Sequence, residues 1–300
     1  MYEQYYGLVE KPFNLTPDID YYFQSVTHQE ALTVLILAIQ SGEGFIKVTG
    51  EVGTGKTLLC RKLLDQLGED CFTVYIPNPP LNCNALLEAV ATDMGISQKI
   101  KNENYLAGIN DHLLSVARQN KPTVILLDEA QSLPEESLEA IRLLSNLETA
   151  KQKLVQIVLF GQPELDARLA NSSIRQLQQR IVHSYQLRPL NDETMLKYIQ
   201  HRLQAAGYFG PRLFSAAAIS RLYQATQGVP RLINVLCHKA LMLSYASGDF
   251  YVEKSHIKTA ILDSTASIQT IKPDPKIRPI YVVGLFFALL IYVFILVKPL

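Results

Sequence analysis

The stretch that decides the fold lies at positions 50–57 and reads Gly50-Glu51-Val52-Gly53-Thr54-Gly55-Lys56-Thr57. It matches the pattern G-x-x-x-x-G-K-[ST], a loop whose backbone amides wrap a phosphate group in front of a helix N-terminus that favours negative charge. In this pattern Lys56 reaches the β- and γ-phosphates, and Thr57 places its hydroxyl on Mg²⁺. We therefore predict that residues 50–57 bind the phosphates of a nucleotide.

The loop has the sequence context that such a motif requires. Residues 45–49 are short and β-prone and predict a strand before the loop, while residues 58–64 predict a helix after it. Four further segments read as strands: 72–76, 123–127, 154–160 and 182–187. Because these strands alternate with helical segments, the sequence predicts an α/β fold, a parallel sheet with helices on both faces.

A second acidic site follows the third predicted strand. That strand, 123–127, is an apolar run typical of a strand buried on both faces, and it ends in Asp128-Glu129. A carboxylate at this end of a buried strand is placed for Mg²⁺, so we predict Thr57 and Asp128 as metal ligands. Glu129 can polarise the water that attacks a γ-phosphate, and we predict it as the catalytic base. A helix-capping aspartate followed by a solvated glutamate is the alternative.

Composition limits the classes of protein that fit. The 300 residues allow one large domain or two smaller ones, and a hydrophobic fraction of 48% supports a sizeable core. With 28 basic and 28 acidic residues the net charge is zero, so nothing global indicates nucleic acid, although a local basic face remains open. The four cysteines lack metal-ligand spacing and predict reduced, buried thiols in a cytosolic domain. The N-terminus does not resemble a signal peptide.

The two ends of the chain differ from its centre. Residues 1–26 are rich in Tyr, Phe and Pro, which indicates a segment laid over a core or one wall of a base pocket. A helix opens at His28, with Thr27 as its expected cap. Helices alone are predicted beyond the fifth strand, at 191–206, 215–226, 231–247 and 253–265. We expect four parts: a nucleotide-binding core at 1–190, a helical lid at 191–265, a linker at 266–279 and a transmembrane helix at 280–297.

The predicted transmembrane helix contains no charged residue. Eighteen helical residues span about 27 Å, close to the hydrocarbon thickness of a bilayer. Three basic residues, Lys272, Lys276 and Arg278, precede the run and one, Lys298, follows it. The positive-inside rule therefore keeps the preceding domains in the cytoplasm. A helix buried within the rest of the protein is the alternative.

Three further stretches resemble the general secretion pathway protein A (ExeA-type) family of AAA+ ATPases. They are Phe13-Asn14-Leu15-Thr16-Pro17-Asp18 with His28-Gln29-Glu30-Ala31, Phe160-Gly161-Gln162-Pro163-Glu164-Leu165, and Gln227-Gly228-Val229-Pro230-Arg231-Leu232-Ile233-Asn234. Within that family the chain is most similar to the ATPases that serve biogenesis of the mannose-sensitive haemagglutinin (MSHA) pilus, a type IV pilus. The resemblance covers residues 1–265. It implies Mg²⁺-dependent ATP hydrolysis by a homo-oligomer at a bacterial inner membrane, with pilus or secretion assembly proteins as partners.

The resemblance also implies roles for four residues. Arg231 corresponds to the lid arginine that reports the γ-phosphate. Arg180 lies where an arginine finger is presented to a neighbouring subunit, with Arg175 as its rival. Gln162 corresponds to the residue that orients the attacking water, a position where many AAA+ proteins have Asn, Ser or Thr.

Two other functions share this pattern of motifs. One is a DNA-associated ATPase of the transposition target-selection type, which the neutral charge and the apolar C-terminal run disfavour. The other is a nucleotide-gated scaffold with little turnover, which Glu129 disfavours. A helicase needs a second large domain, for which the chain has no room after residue 190. Nucleic acid is therefore not an expected partner.

Overall fold

The computed structural model of the chain describes residues 2–16, 18–97, 104–148, 153–171 and 174–269. Across these ranges, no helix is both long enough and apolar enough to cross a membrane. The predicted transmembrane helix at 280–297 lies outside the described residues.

A five-stranded parallel sheet forms the centre of the fold. Its strands are β1 (Phe45–Gly50), β2 (Phe72–Ile76), β3 (Thr123–Leu127), β4 (Gln156–Gly161) and β5 (Ile181–Leu187), in the order β2-β3-β4-β1-β5. The predicted α/β class is confirmed. β4 starts two positions later than predicted, because the N–H of Leu154 bonds the carbonyl of Leu147 instead of a neighbouring strand.

Eight helices accompany the sheet in the described part of the chain up to β5. They are α1 (Tyr2–Tyr6), α2 (Val26–Gln40), α3 (Lys56–Leu67), α4 (Cys83–Asp93), α5 (Tyr105–Ala117), α6 (Glu135–Leu144), α7 (Glu164–Leu169) and α8 (Arg175–Gln178). The prediction that Thr27 caps α2 is wrong. Ser25 is the cap, because its Oγ accepts the N–H of His28, which places Thr27 inside the first turn.

Helices cover both faces of the sheet, as the apolar strands require. Side chains alternate along β3: Val124 and Leu126 pack with α2 and α3, whereas Ile125 and Leu127 pack with α4, α5 and α6. All four are at most 1% exposed. Strand β3 therefore ends in a fully enclosed position, which fixes the place of the residues that follow it.

The cysteine prediction holds in part. All four thiols are free, and Cys60 and Cys237 are buried. Cys71 and Cys83 are only partly buried. Both lie at the edge of the fold, since Cys71 precedes the edge strand β2 and Cys83 opens α4.

In the described residues after β5, four helices build a second core. They are α9 (Asp192–Ala205), α10 (Ala216–Thr226), α11 (Pro230–Ala246) and α12 (Lys254–Gln269). The last helix extends beyond its predicted end at 265. Aromatic residues of the N-terminal segment, Tyr2, Tyr6, Phe13 and Tyr21, are buried in the same cluster. The N-terminal aromatic segment thus lies over the helical core.

The strand order brings three chain segments to one edge of the sheet. β4 lies between β3 and β1, with Leu127 beside Leu159 and Thr49 beside Gly161. The carboxyl ends of these three strands are therefore adjacent, the usual location of ligand sites in parallel sheets. The loop at 50–57, Asp128-Glu129 and Gln162 all emerge at that edge.

Candidate nucleotide-binding site

The candidate phosphate loop connects β1 to α3. Lys56, the first residue of α3, is 5% exposed, and its Nζ donates to the carbonyls of Gly50 at 2.8 Å and Glu51 at 3.1 Å. Burial lowers the pKa of Lys56, and the carboxylates of Glu129 and Asp128 oppose that shift. An ammonium group has three protons. The two carbonyls leave one for a further acceptor such as a phosphate oxygen.

Thr57 and Asp128 form the second feature of the site. Thr57 Oγ1 donates to Asp128 Oδ2 at 2.6 Å, and Asp128 Oδ1 accepts the N–H of Glu129 at 2.9 Å. Asp128 is 1% exposed, and this burial raises the pKa of its carboxyl group. The two hydrogen bonds act in the opposite direction and lower that pKa. A buried carboxylate of this kind is stabilised by a nearby cation.

The same pair fits a magnesium ion. Hydroxyl and carboxylate oxygens are the ligands that Mg²⁺ takes, commonly one or two carboxylates with substrate phosphates and waters. The described residues contain no group of three or more His, Cys, Asp or Glu side chains that could hold a metal. Thr57 and Asp128 would supply two oxygen ligands, and substrate phosphates and waters the rest.

Glu129 is held by two glutamine side chains. Its Oε2 accepts Gln131 Nε2 at 2.5 Å and Gln162 Nε2 at 3.1 Å. The amide oxygen of Gln131 in turn accepts the backbone N–H of Gln162 at 2.9 Å. Glu129 adopts a left-handed backbone conformation, with φ at 52°. The carboxylate is thus fixed through one oxygen, and the other remains for a water molecule.

The start of α11 packs directly on the phosphate loop. The N–H of Arg231 donates to the carbonyl of Gly53 at 3.2 Å. Gly53 has φ at +82°, and a Cβ there would lie 2.4 Å from Arg231 Cβ, so only glycine fits. Behind the helix start, the carbonyl of Gly228 accepts the N–H of Leu190 at 3.0 Å. These contacts place Arg231 at the loop.

A cavity of about 360 Å³ lies between these elements. It is lined by Asn14, Leu15, Thr16, Asp18, Val52, Gly53, Gly55, Lys56, Thr57, Leu58, Glu129, Tyr198, Arg202, Pro230, Arg231 and Asn234. Its size is within the range of small-molecule sites. The cavity thus joins the phosphate loop, the candidate base and the candidate lid arginine with part of the N-terminal segment.

Comparison with known proteins agrees with this geometry. Residues 39–169 match a protein family described as AAA domain. The solved structures that resemble the chain include Drosophila ORC bound to DNA (TM-score 0.64, 17% identity, 88% of this chain and 67% of that one). They also include Cdc6p from Pyrobaculum aerophilum (TM-score 0.63, 16% identity, 82% of this chain and 68% of that one). A third is ORC2 from Aeropyrum pernix in ADPNP-ADP complexes (TM-score 0.62, 16% identity, 84% of this chain and 71% of that one). The fold is of the AAA+ type.

A curated protein similar to this chain is general secretion pathway protein A from Aeromonas hydrophila. The two are 42% identical over 262 residues, which are 87% of this chain and 48% of that protein. The chain thus spans about half the length of the curated relative it matches.

The two candidate arginine fingers differ in their surroundings. Arg180 is partly buried, and its NH1 donates to Ser145 Oγ at 3.0 Å, just beyond the end of α6. Arg175, the first residue of α8, is exposed. Neither residue lines the cavity of its own chain. The structure therefore brings Lys56, Thr57, Asp128, Glu129 and Gln162 together with Arg231, and leaves Arg180 apart.

Several residues of the site escaped the sequence analysis. Gln131, two positions after Glu129, had no predicted role. Tyr198 OH donates to Asn234 Oδ1 at 2.9 Å, and both line the cavity. Arg202 donates from Nε to the carbonyl of Pro12 at 2.6 Å and from NH2 to that of Asn14 at 3.0 Å.

The signal for these residues was weak in each case. For Asn234 the available signal is its position three residues after Arg231, which puts both on one face of α11. The contacts of Arg202 join residues far apart in sequence, which no local pattern reports.

Proposed function

We propose that this protein is a Mg²⁺-dependent ATPase. The observation that carries the proposal is the 2.6 Å hydrogen bond between Thr57 Oγ1 and Asp128 Oδ2. It joins the residue that follows the loop lysine to the carboxylate at the end of the buried strand, the two groups that hold Mg²⁺ in phosphate-loop NTPases.

In this proposal each residue has a defined task. The backbone of residues 50–57 and Lys56 Nζ bind the phosphates, while Thr57 and Asp128 hold the ion. Held there, Mg²⁺ would neutralise the negative charge that develops on the phosphates. Glu129 accepts a proton from the attacking water. The amide of Gln162 orients that water. Arg231 donates to the γ-phosphate with a planar guanidinium group suited to it.

The proposal includes an oligomer of identical subunits. Arg180 and Arg175 do not line the cavity of their own chain. An arginine that completes the site of a neighbour would be placed in this way, and we assign that task to Arg180, with Arg175 as the rival. In the same proposal, residues 1–190 are the nucleotide-binding core, 191–265 the lid, 266–279 a linker and 280–297 a transmembrane helix.

We further propose that hydrolysis supports assembly of a secretion apparatus or of a type IV pilus of the MSHA kind. The 42% identity to general secretion pathway protein A supports the secretion link, and the sequence resemblance supports the pilus. The chain would be held in a bacterial inner membrane by the single helix at 280–297, with the ATPase part in the cytoplasm. Its partners would be assembly proteins of that membrane.

The test is nucleotide turnover by the purified full-length chain. We expect ATP hydrolysis that needs Mg²⁺ and that EDTA stops. Lys56→Ala should fold as the parent does yet lose tight ATP binding, because the removed ammonium is directed at phosphate. Unchanged ATP affinity in folded Lys56→Ala would contradict the loop assignment. Turnover that rises with subunit concentration favours the oligomer over a scaffold, and strong stimulation by DNA favours a DNA-associated ATPase.

A further inference from the structure

The first turn of α2 lies against the phosphate loop and carries a buried histidine. His28 is 6% exposed, and Ser25, the cap of the helix, is 3% exposed. Ser25 Oγ accepts the backbone N–H of His28 and lies 2.6 Å from His28 Nδ1. The edge of the imidazole ring also meets Tyr22, with ring centroids 6.1 Å apart and planes at 88°. The ring is therefore in contact with Ser25 at Nδ1 and with the ring of Tyr22.

The other nitrogen of the ring faces the loop. A Cβ on Gly55 would lie 2.8 Å from His28 Nε2, so the imidazole touches the loop backbone at this point. Burial lowers the pKa of His28 to about 4, and a hydrogen bond with the backbone of Thr54 opposes that shift. The ring is therefore neutral near pH 7, with one donor and one acceptor nitrogen. The serine hydroxyl suits the acceptor Nδ1, which leaves the Nε2–H for the carbonyl of Thr54.

We propose that His28 is a positioning residue that holds the backbone of Thr54 and Gly55 in the conformation that binds phosphate. The inference rests on the proposed ATPase function. A phosphate loop binds through its amide groups, and glycines make its backbone free to move. A buried side chain fixed to α2 restrains that backbone before the nucleotide arrives, so less ordering is needed on binding.

The position of His28 separates this role from direct contact with the nucleotide. His28 is not among the residues that line the 360 Å³ cavity, whereas Gly55 is. The histidine therefore reaches the nucleotide only through the loop. Its loss should weaken ATP binding more than it slows the chemical step in molecules that do bind ATP.

The test compares His28→Leu and His28→Gln in the full-length chain. Leucine fills much of the space without a hydrogen bond, whereas glutamine carries an N–H close to the position of Nε2. We expect the Kd for ATP to rise about tenfold in His28→Leu, with kcat at saturating ATP within about twofold of the parent. In His28→Gln the Kd should stay within about threefold of the parent.

Two controls separate positioning from a general loss of stability. Leu222→Ala creates a cavity in the helical core away from the loop, and should lower the unfolding temperature without changing the Kd. Gln29→Leu changes an exposed neighbour on the same helix. It should change neither the unfolding temperature nor the Kd for ATP. Should His28→Leu fail to fold, Ser25→Ala removes the partner of Nδ1, and its Kd should rise at least about threefold.

The outcomes distinguish this inference from the proposed function. A parent chain that binds no ATP refutes the ATPase proposal. If the parent binds ATP and folded His28→Leu has the same Kd, the role of His28 alone is overturned. Folded Ser25→Ala with an unchanged Kd has the same meaning where His28→Leu does not fold. A lower kcat with unchanged KM also overturns it, because that result would place His28 in the chemical step.

Discussion

The N–H of Arg231 donates to the carbonyl of Gly53, so the first turn of α11 is hydrogen-bonded to the phosphate loop. The same contact holds the Arg231 side chain beside the cavity. The backbone hydrogen bond between Arg231 and Gly53 thus joins the loop to the helices that follow the sheet.

We expect Arg231→Ala to lower ATP turnover by about 100-fold, the effect of losing one donor to the developing charge. Steady-state hydrolysis measures it, with exposed Arg212→Ala as the control for charge. Arg231→Lys should keep only part of the activity, because lysine lacks the planar fork. Parental turnover in Arg231→Ala would remove this residue from the mechanism.

Glu129→Gln should retain ATP binding and lose at least about 100-fold in turnover, since the substitution keeps the shape of the side chain and removes the base. ATP affinity and single-turnover hydrolysis of the same preparation measure both properties. Exposed Glu136→Gln, on α6, is the matched control and should behave as the parent does. If Glu129→Gln hydrolyses ATP within a few-fold of the parent, another group is the base.

Arg180→Ala should lower turnover at subunit concentrations that support assembly, with little change in ATP affinity. Mixing Arg180→Ala with Glu129→Gln subunits should restore part of the activity, because some interfaces then combine an intact base with an intact arginine. Arg175→Ala in the same mixture is the matched comparison. Recovery with Arg175→Ala and not with Arg180→Ala would assign the finger to Arg175 instead.

The sheet could be predicted from sequence because its strands are short, apolar and bounded by glycine, proline or the two candidate site motifs. Gly50 is the last residue of β1, and Asp128 directly follows β3, so the two motifs located both strands. Thr57 and Asp128 could be expected near one another, since parallel strands bring their carboxyl ends to one edge.

The interior of the site could not be predicted in the same way. The two glutamines that hold Glu129 are 31 positions apart, at Gln131 and Gln162, and meet only because β3 and β4 are neighbours. Local capping rules gave the wrong cap for α2, because serine and threonine are both good caps and the sequence offers Ser25 and Thr27 two positions apart.

The segment at 280–297 is expected to anchor the chain in the membrane. The full-length chain should fractionate with membranes and need detergent for extraction, whereas a chain cut after Pro275 should not, and should still bind ATP. Leu289→Lys with Leu290→Lys is the matched control, since lysine at the centre of a span opposes insertion. A full-length chain recovered without detergent, or a C-terminal tag accessible only from the cytoplasm, would contradict the anchor.

The buried imidazole of His28 should make stability depend on pH in a defined window. Burial lowers its pKa from 6.5 to about 4, so between these values the unfolded chain binds a proton that the folded chain does not. The free energy of unfolding therefore rises with pH from about 4 to 6.5, and falls as the solution is acidified through that window.

The size of the effect follows from the two pKa values, which correspond to roughly 3 kcal/mol at most. Burial also lowers the pKa of His201 and His238, so the parent alone reports a sum of several groups. The difference between the parent and His28→Gln, measured by urea unfolding from pH 4 to 8, isolates His28 because the other groups are common to both chains. We expect the parent to gain stability relative to the variant as the pH rises to 6.5, and to keep a constant difference above it. Parallel curves for the two chains across the window would mean that His28 is protonated equally well in the folded and unfolded states.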